Sequence, residues 1–224
     1  LINSWEAAYF GFDDDKLAAF AEKAATLGIE MLVLDDGWFG NGPYSRDDDK
    51  HGLGDWDPST KKLPKGLSYI AKEALKRKVG FGIWLEPEMV NPQSELYQKH
   101  PDWIITQSKR EPILGRHQEI LDLTRPEVQA FEWDIIDKTL RPNPDITYVK
   151  WDCNRYITQP GSSYLQPADQ SHLWIDYNRA LYRLMDRFAK GFPNVMAMLC
   201  AGGSGRVDYG AMPYFHSFWP SDNT

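Results

Sequence analysis

The sequence predicts an α/β fold: a TIM (β/α)8 barrel, incomplete in this chain, with about six of its eight strands present. Three observations predict it. A short apolar strand, a polar loop and an amphipathic helix recur along the 224 residues, which is the pattern of parallel strands joined by crossover helices. A closed eight-stranded barrel takes roughly 250 residues, more than this chain holds. The first strand runs into Asn3, Ser4, Trp5 and Glu6, without the glycine-rich phosphate loop that an open doubly wound sheet would place there.

Ile2 to Trp5 reads as the first strand. Asp13 to Leu27 reads as a helix, with Leu17, Phe20, Ala21, Ala24 and Leu27 on one face, acidic residues at its start and Gly28 just after it. Met31 to Leu34 is the second strand. After a loop rich in Gly, Asp and Pro comes a helix over Leu67 to Lys78, with the stripe Leu67, Ile70, Ala71, Ala74 and Leu75. Phe81 to Leu85 is the third strand. An excursion follows in which Trp103 to Gln107 and Glu119 to Leu123 are expected to pair as a hairpin, ahead of a helix from Pro126 to Leu140. Ile146 to Trp151 is strand four. The helix from Ser171 to Ala189 carries Trp174, Tyr177, Leu181, Leu184 and Phe188 as a core-facing stripe. Val195 to Leu199 and Phe215 to Trp219 are strands five and six. Residues 1–224 are read as one catalytic barrel domain, a fragment of a longer chain whose last two strand and helix units are expected beyond Thr224. Such a fragment alone is expected to fold poorly, because its first and sixth strands keep unpaired edges.

With 42% hydrophobic and 13% aromatic residues the chain buries a sizeable core. Its formal charge of −7 argues against a nucleic-acid partner, which needs clustered Lys and Arg; a neutral small molecule suits it better. No apolar run of about 18 residues marks a membrane span. Cys153 and Cys200 are too few for a disulfide framework, and the five His are scattered without zinc-site spacing.

Barrel active sites gather at the carboxyl ends of the strands. Two runs there each deliver an aspartate just past a strand: Lys150-Trp151-Asp152-Cys153-Asn154 and Trp219-Pro220-Ser221-Asp222-Asn223-Thr224. They make a candidate nucleophile and acid pair. Residues two apart on a strand share a face, so Lys150 and Asp152 point the same way. Either the ammonium keeps Asp152 ionised for attack, or the two form a structural ion pair. Asp35 and Asp36 are adjacent carboxylates that sugar hydroxyls would satisfy; helix capping or a metal are the alternatives. Trp84 is the tryptophan placed to stack on a sugar ring. The run from Cys200 to Gly205 suits close backbone approach to a ligand, since no phosphate-loop lysine follows. Arg206 and Asp208 read as a structural pair, and Asp47, Asp48 and Asp49 as a solvated loop. Arg116, alone in a loop, is ambiguous.

Seven ordered blocks carry a resemblance: Asn3-Ser4-Trp5-Glu6, Leu34-Asp35-Asp36-Gly37-Trp38-Phe39, Gly54-Asp55-Trp56, Trp84-Leu85-Glu86-Pro87-Glu88-Met89, Leu121-Asp122-Leu123-Thr124-Arg125-Pro126, Lys150-Trp151-Asp152-Cys153-Asn154 and Trp219-Pro220-Ser221-Asp222. Together they resemble the catalytic barrel of the family 36 glycoside hydrolases, whose best-known members are α-galactosidases. The resemblance implies a retaining exo-α-galactosidase with Asp152 as nucleophile and Asp222 as general acid and base. It implies that Asp35 and Asp36 hold the 4- and 6-hydroxyls, that Trp84, Arg116, Lys150 and Asn154 complete the sugar subsite, and that Cys200 and Gly202 lie near the 2-hydroxyl. It further implies an oligosaccharide substrate of melibiose or raffinose type, no cofactor or metal, no nucleic-acid or membrane partner, and a homo-oligomer, a tetramer. The alternatives are an α-N-acetylgalactosaminidase, a galactosyl transferase, or a galactoside-binding barrel without catalysis. A metal-dependent barrel hydrolase would show paired His at strand ends, and none are there.

Overall fold

The computed structural model describes residues 1–223, so Thr224, last of the second aspartate run, lies outside them. The chain opens with β1 (Ile2–Asn3) and turns at once into the single-turn helix α1 (Trp5–Ala8). Trp5 is therefore helical, where a strand was expected. The Asn3 side chain accepts the Trp5 N–H at 2.8 Å, a local bond that competes with the sheet ladder and ends it. Next comes α2 (Asp14–Thr26), capped by the Asp13 carboxylate, which accepts the Lys16 N–H at 2.8 Å. It buries Leu17, Ala21 and Ala24; Leu27, expected on that stripe, is the C-cap and is 60% exposed.

After β2 (Met31–Leu34) and a long loop, α3 (Leu67–Lys76) stops before Lys78, whose φ of 61° is left-handed. Leu75 of its expected stripe faces outward. Then come β3 (Gly80–Leu85), β4 (Met89–Val90), the short α4 (Glu95–Lys99), β5 (Glu119–Ile120), α5 (Pro126–Leu140) and β6 (Ile146–Trp151). The expected pairing is present but short: Ile104 bridges Leu121 antiparallel, with the Ile105 N–H on the Ile120 carbonyl and the Asp122 N–H on the Trp103 carbonyl, and β5 finds a further antiparallel partner in β4. Last are α6 (Leu173–Gly191), β7 (Met196–Leu199) and β8 (Ser217–Phe218). On α6, Tyr177, Leu181, Leu184 and Phe188 are buried, but Trp174, in the first helical turn, is 48% exposed.

The six strands β1, β2, β3, β6, β7 and β8 lie side by side in that order, all parallel. They form a curled sheet, an incomplete (β/α)8 barrel. Its two faces differ in kind. The face under the helices carries Leu32, Leu34, Phe81, Ile83, Val149, Trp151 and Leu199 in the main apolar core. Trp151 is fully buried there, edge-on to Phe188 and Phe215, and truncating such a residue costs about 3–5 kcal/mol. The other face holds a separate small cluster of Val33, Tyr148 and Met198, with Met31 and Trp219 packed against it. Gly82 lies in the same row: a Cβ there would come within 2.9 Å of Tyr148. Stepping two residues onward from Val33, Gly82, Tyr148 and Met198 leads to Asp35, Trp84, Lys150 and Cys200, and two more from Lys150 to Asp152. The inner face thus turns from apolar to charged as the strands run out.

Candidate active site

Asp152 is 5% exposed and held in one orientation. Its Oδ2 accepts the Trp84 indole N–H at 3.0 Å and the Asn154 amide at 2.7 Å; its Oδ1 accepts the Cys153 N–H at 2.9 Å. The Cys200 thiol also bonds to it; burial first, then the Asp152 charge, pushes that thiol up to about 12, so it stays a neutral donor. Asn154 continues the chain of contacts, its Oδ1 accepting the Gly202 N–H at 2.9 Å. Gly202 has φ 57°, and a Cβ on it would point between Asn154 Oδ1 at 3.7 Å and Asp222 Oδ2 at 4.0 Å. Asp222 and Asn154 thus both border Gly202. Asp222 is exposed, and its Oδ1 accepts the Trp219 indole N–H at 3.0 Å.

Lys150 does not pair with Asp152 as one sequence reading had it; its Nζ bonds Asp35 Oδ2 at 2.8 Å. On the sheet it lies level with Trp84 and Met198, one alternation below Asp152, and the Asp35 carboxylate at the end of β2 reaches down to it. Burial disfavours the ammonium, but Asp35 and then Asp152 outweigh that and raise its pKa. Burial likewise raises Asp35, against the lowering pull of Lys150, the Asp36 N–H and Asn3, whose amide donates at 2.6 Å. Asp36 faces elsewhere. Both its oxygens are taken by Arg46, Nε to Oδ1 at 2.9 Å and Nη2 to Oδ2 at 2.6 Å. Arg46 is 1% exposed and also donates to Asn91 Oδ1 at 3.0 Å. The two adjacent aspartates are thus stabilised by two protein cations on separate sides, rather than left for ligand hydroxyls alone to satisfy.

Trp84 is 2% exposed, with Phe39 stacked parallel at 6.2 Å and Trp56 at 6.0 Å. Its ring face is covered by these neighbours; what it offers the site is its N–H, directed at Asp152. Arg116 is exposed at φ 52° and makes no hydrogen bond or ion pair among the described residues. Its loop does reach the site, through Gln118, which donates to Glu86 Oε2 at 3.0 Å. Arg206 pairs with Glu88 at 2.5 Å, not with Asp208, which instead accepts from the Tyr182 hydroxyl and two backbone N–H groups. Asp47 and Asp48, read as solvated, pair with Lys61, Lys62 and His51.

Sequence reasoning missed Arg46 and underrated Glu86. Arg46 adjoins the acidic run at residues 47–49 and looks like its counter-ion. Its partner Asp36 lies ten residues back, across a loop with no periodicity to reveal the contact. Among the described residues no group of three or more His, Cys, Asp and Glu is arranged to hold a metal ion, and no helix is long and apolar enough to cross a membrane.

Residues 1–224, the whole chain, match the family model described as Melibiase. The chain is 47% identical over 224 residues to alpha-galactosidase AgaA of Geobacillus stearothermophilus, and 42% identical to alpha-galactosidase 1 of Pediococcus pentosaceus; each alignment covers all of this chain and 30% of the relative. A crystal structure of the GH36 alpha-galactosidase AgaA superposes with a TM-score of 0.94 at 47% identity, covering 99% of this chain and 30% of that one. A substituted form of that enzyme in complex with raffinose also superposes at 0.94, with 46% identity and the same coverage. The chain spans about 30% of the length of the curated relatives it matches.

Proposed function

From a chain that belongs to the Melibiase family, we propose the catalytic barrel region of a retaining exo-α-galactosidase that removes terminal α-linked galactose from oligosaccharides of the melibiose and raffinose type. The observation that carries this reading is the Asp152 carboxylate, held by the Trp84, Asn154 and Cys153 N–H donors at the mouth of the inner sheet face, with Asp222 bordering Gly202, which Asn154 bonds. Relatives crystallised with raffinose and stachyose support the substrate class.

In this mechanism Asp222 donates a proton to the glycosidic oxygen while an Asp152 oxygen attacks the anomeric carbon, forming a covalent galactosyl ester and releasing the aglycone. Asp222, now a carboxylate, takes a proton from water, which attacks the same carbon and frees Asp152. Fixing the nucleophile by donors on both oxygens removes the need to order it at the moment of attack. Asp35, paired with Lys150, is assigned the 4-hydroxyl and Asp36, paired on its other side with Arg46, the 6-hydroxyl, each carboxylate keeping a lone pair for a sugar hydroxyl. A lysine already salting Asp35 can turn a second proton to an axial 4-hydroxyl, which glucose lacks. Cys200 and Gly202 border the 2-position. By family resemblance the complete protein is read as a homo-oligomer, a tetramer, which sedimentation velocity checks.

The test is hydrolysis of nitrophenyl α-galactoside by the protein carrying this chain, beside the N-acetylgalactosamine analogue and the α-glucoside, with the product anomer followed by proton NMR. α-Galactose is expected first, with strong preference for the galactoside. β-Galactose appearing first, or comparable kcat/KM on the glucoside, would overturn the assignment, and preference for the acetylated sugar would move it to an α-N-acetylgalactosaminidase.

A further inference from the structure

Glu86 leaves β3 beside both halves of the site and belongs to none of the roles described. It is 1% exposed. One carboxyl oxygen, Oε1, accepts the backbone N–H of Asn154 at 2.5 Å; the other, Oε2, accepts from the Gln118 amide at 3.0 Å. Asn154 in turn bonds Asp152 with its amide nitrogen and Gly202 with its amide oxygen. Every link is within hydrogen-bond distance, so Glu86 underpins a turn that meets the nucleophile, the glycine next to Asp222 and the loop that carries Arg116.

We propose that Glu86 is a positioning residue for the hydrolytic reaction: by holding the Asn154 backbone against the Gln118 loop, it sets Asp152 and Gly202 in one frame. The inference rests on the α-galactosidase reading above. The groups facing Glu86 are Asp36 and Arg46 from the segment after β2, and Asp152 and Cys153 from the turn after β6. Burial first, then Asp152, with Asp36 adding to it, pushes its carboxyl up to about 8, against the Asn154 N–H and Arg46. At neutral pH it is an uncharged spacer between two carboxylates. An amide of the same length then serves as well. The Gln118 Oε1 is buried without a partner, and an amide flip would turn it to face either a protonated carboxyl or a glutamine at 86.

Two variants of the complete protein separate length from charge. Glu86→Gln keeps both reaches and should keep kcat within a few-fold at pH 7. Glu86→Asp keeps the acid but is one methylene too short to span Asn154 and Gln118. It should lose about 100-fold in kcat with KM little changed, since the Asp35–Lys150 pair is untouched. Circular dichroism checks that both fold. Should the Asp variant fail to fold, Glu86→Met, which fills the volume without an acceptor for the Asn154 N–H, must show the same loss of kcat. Full turnover in the shortened variant, or a Gln variant as poor as the Asp one, would overturn the proposal. A wild-type protein inactive on every α-galactoside would instead sink the functional reading, and is measured first.

Discussion

Asp152 and Asp222 stand at the carboxyl ends of neighbouring parts of one sheet, yet they are held very differently. Asp152 follows β6, which has β3 on one side and β7 on the other; donors reach it from β3 (Trp84), from its own turn (Cys153, Asn154) and from the end of β7 (Cys200). Asp222 follows β8, and its carboxylate is met by the Trp219 indole from its own segment. The nucleophile is thus fixed by donors from three segments, and the acid and base by a donor from its own segment. The difference suits the proposed chemistry. A nucleophile needs one fixed trajectory, whereas the acid and base must serve first a leaving group and then a water.

The comparison is broken most directly at the two aspartates. Asp152→Ala should cost about 10⁴-fold or more in kcat with the fold kept, and azide should restore part of the turnover, giving galactosyl azide of inverted configuration. Near-normal turnover would remove Asp152 from the mechanism. Asp222→Ala should cost less, about 10²–10⁴-fold, and the deficit should shrink on aryl galactosides with acidic leaving groups and stay large on melibiose. Equal deficits across leaving groups would show that Asp222 is no general acid.

The holding groups sharpen it further. Trp84→Phe removes one N–H from a charged acceptor and should lower kcat about 10- to 100-fold, as expected for a bond worth about 1.5–3 kcal/mol. Trp219→Phe removes a donor supplied to Asp222 by its own segment and should change kcat only a few-fold. Steady-state kinetics on one aryl galactoside tests both, and the reverse order would mean that Asp222, not Asp152, needs fixing.

A smaller effect concerns pH. The folded-state pKa of Glu86, about 8, lies above its ordinary 4.5. Between those values the native protein holds a proton that the unfolded chain has released, so this group's contribution to stability declines as pH rises from about 4.5 to about 8 and is level above. Glu132 on α5 acts in the same direction. Burial first, then Glu88, raises its carboxyl, against Arg206, and neither oxygen has a hydrogen-bond partner among the described residues. Melting curves at pH 5 and pH 8 should show Glu86→Gln and Glu132→Gln gaining on the wild type as pH rises. A constant difference would mean that both carboxyls titrate normally.

Periodicity made most of the fold legible. The bounds of β2, α5 and β6 follow the sequence reading, and two-residue alternation alone puts Tyr148, Lys150 and Asp152 on one face and Trp151 on the other. It failed at helix ends, where Leu27, Leu75 and Trp174 keep the apolar phase but lie beyond the reach of the packed neighbour. Within the site the residue types were legible and their partners were not. That Lys150 takes Asp35, 115 residues away, rather than Asp152 two residues away, follows from the pleat: i and i+2 share a face but stand a full repeat apart along the strand, while β2, two strands over with β3 between, brings another carboxylate within hydrogen-bond reach on the inner face. Arg46 on Asp36, and Glu86 between Asn154 and Gln118, arise the same way. The sequence by itself determined which side chains reach the inner face at the strand ends, because that depends on local backbone geometry. Only the tertiary structure decided which charge neutralises which, because that depends on distances between segments remote in the chain.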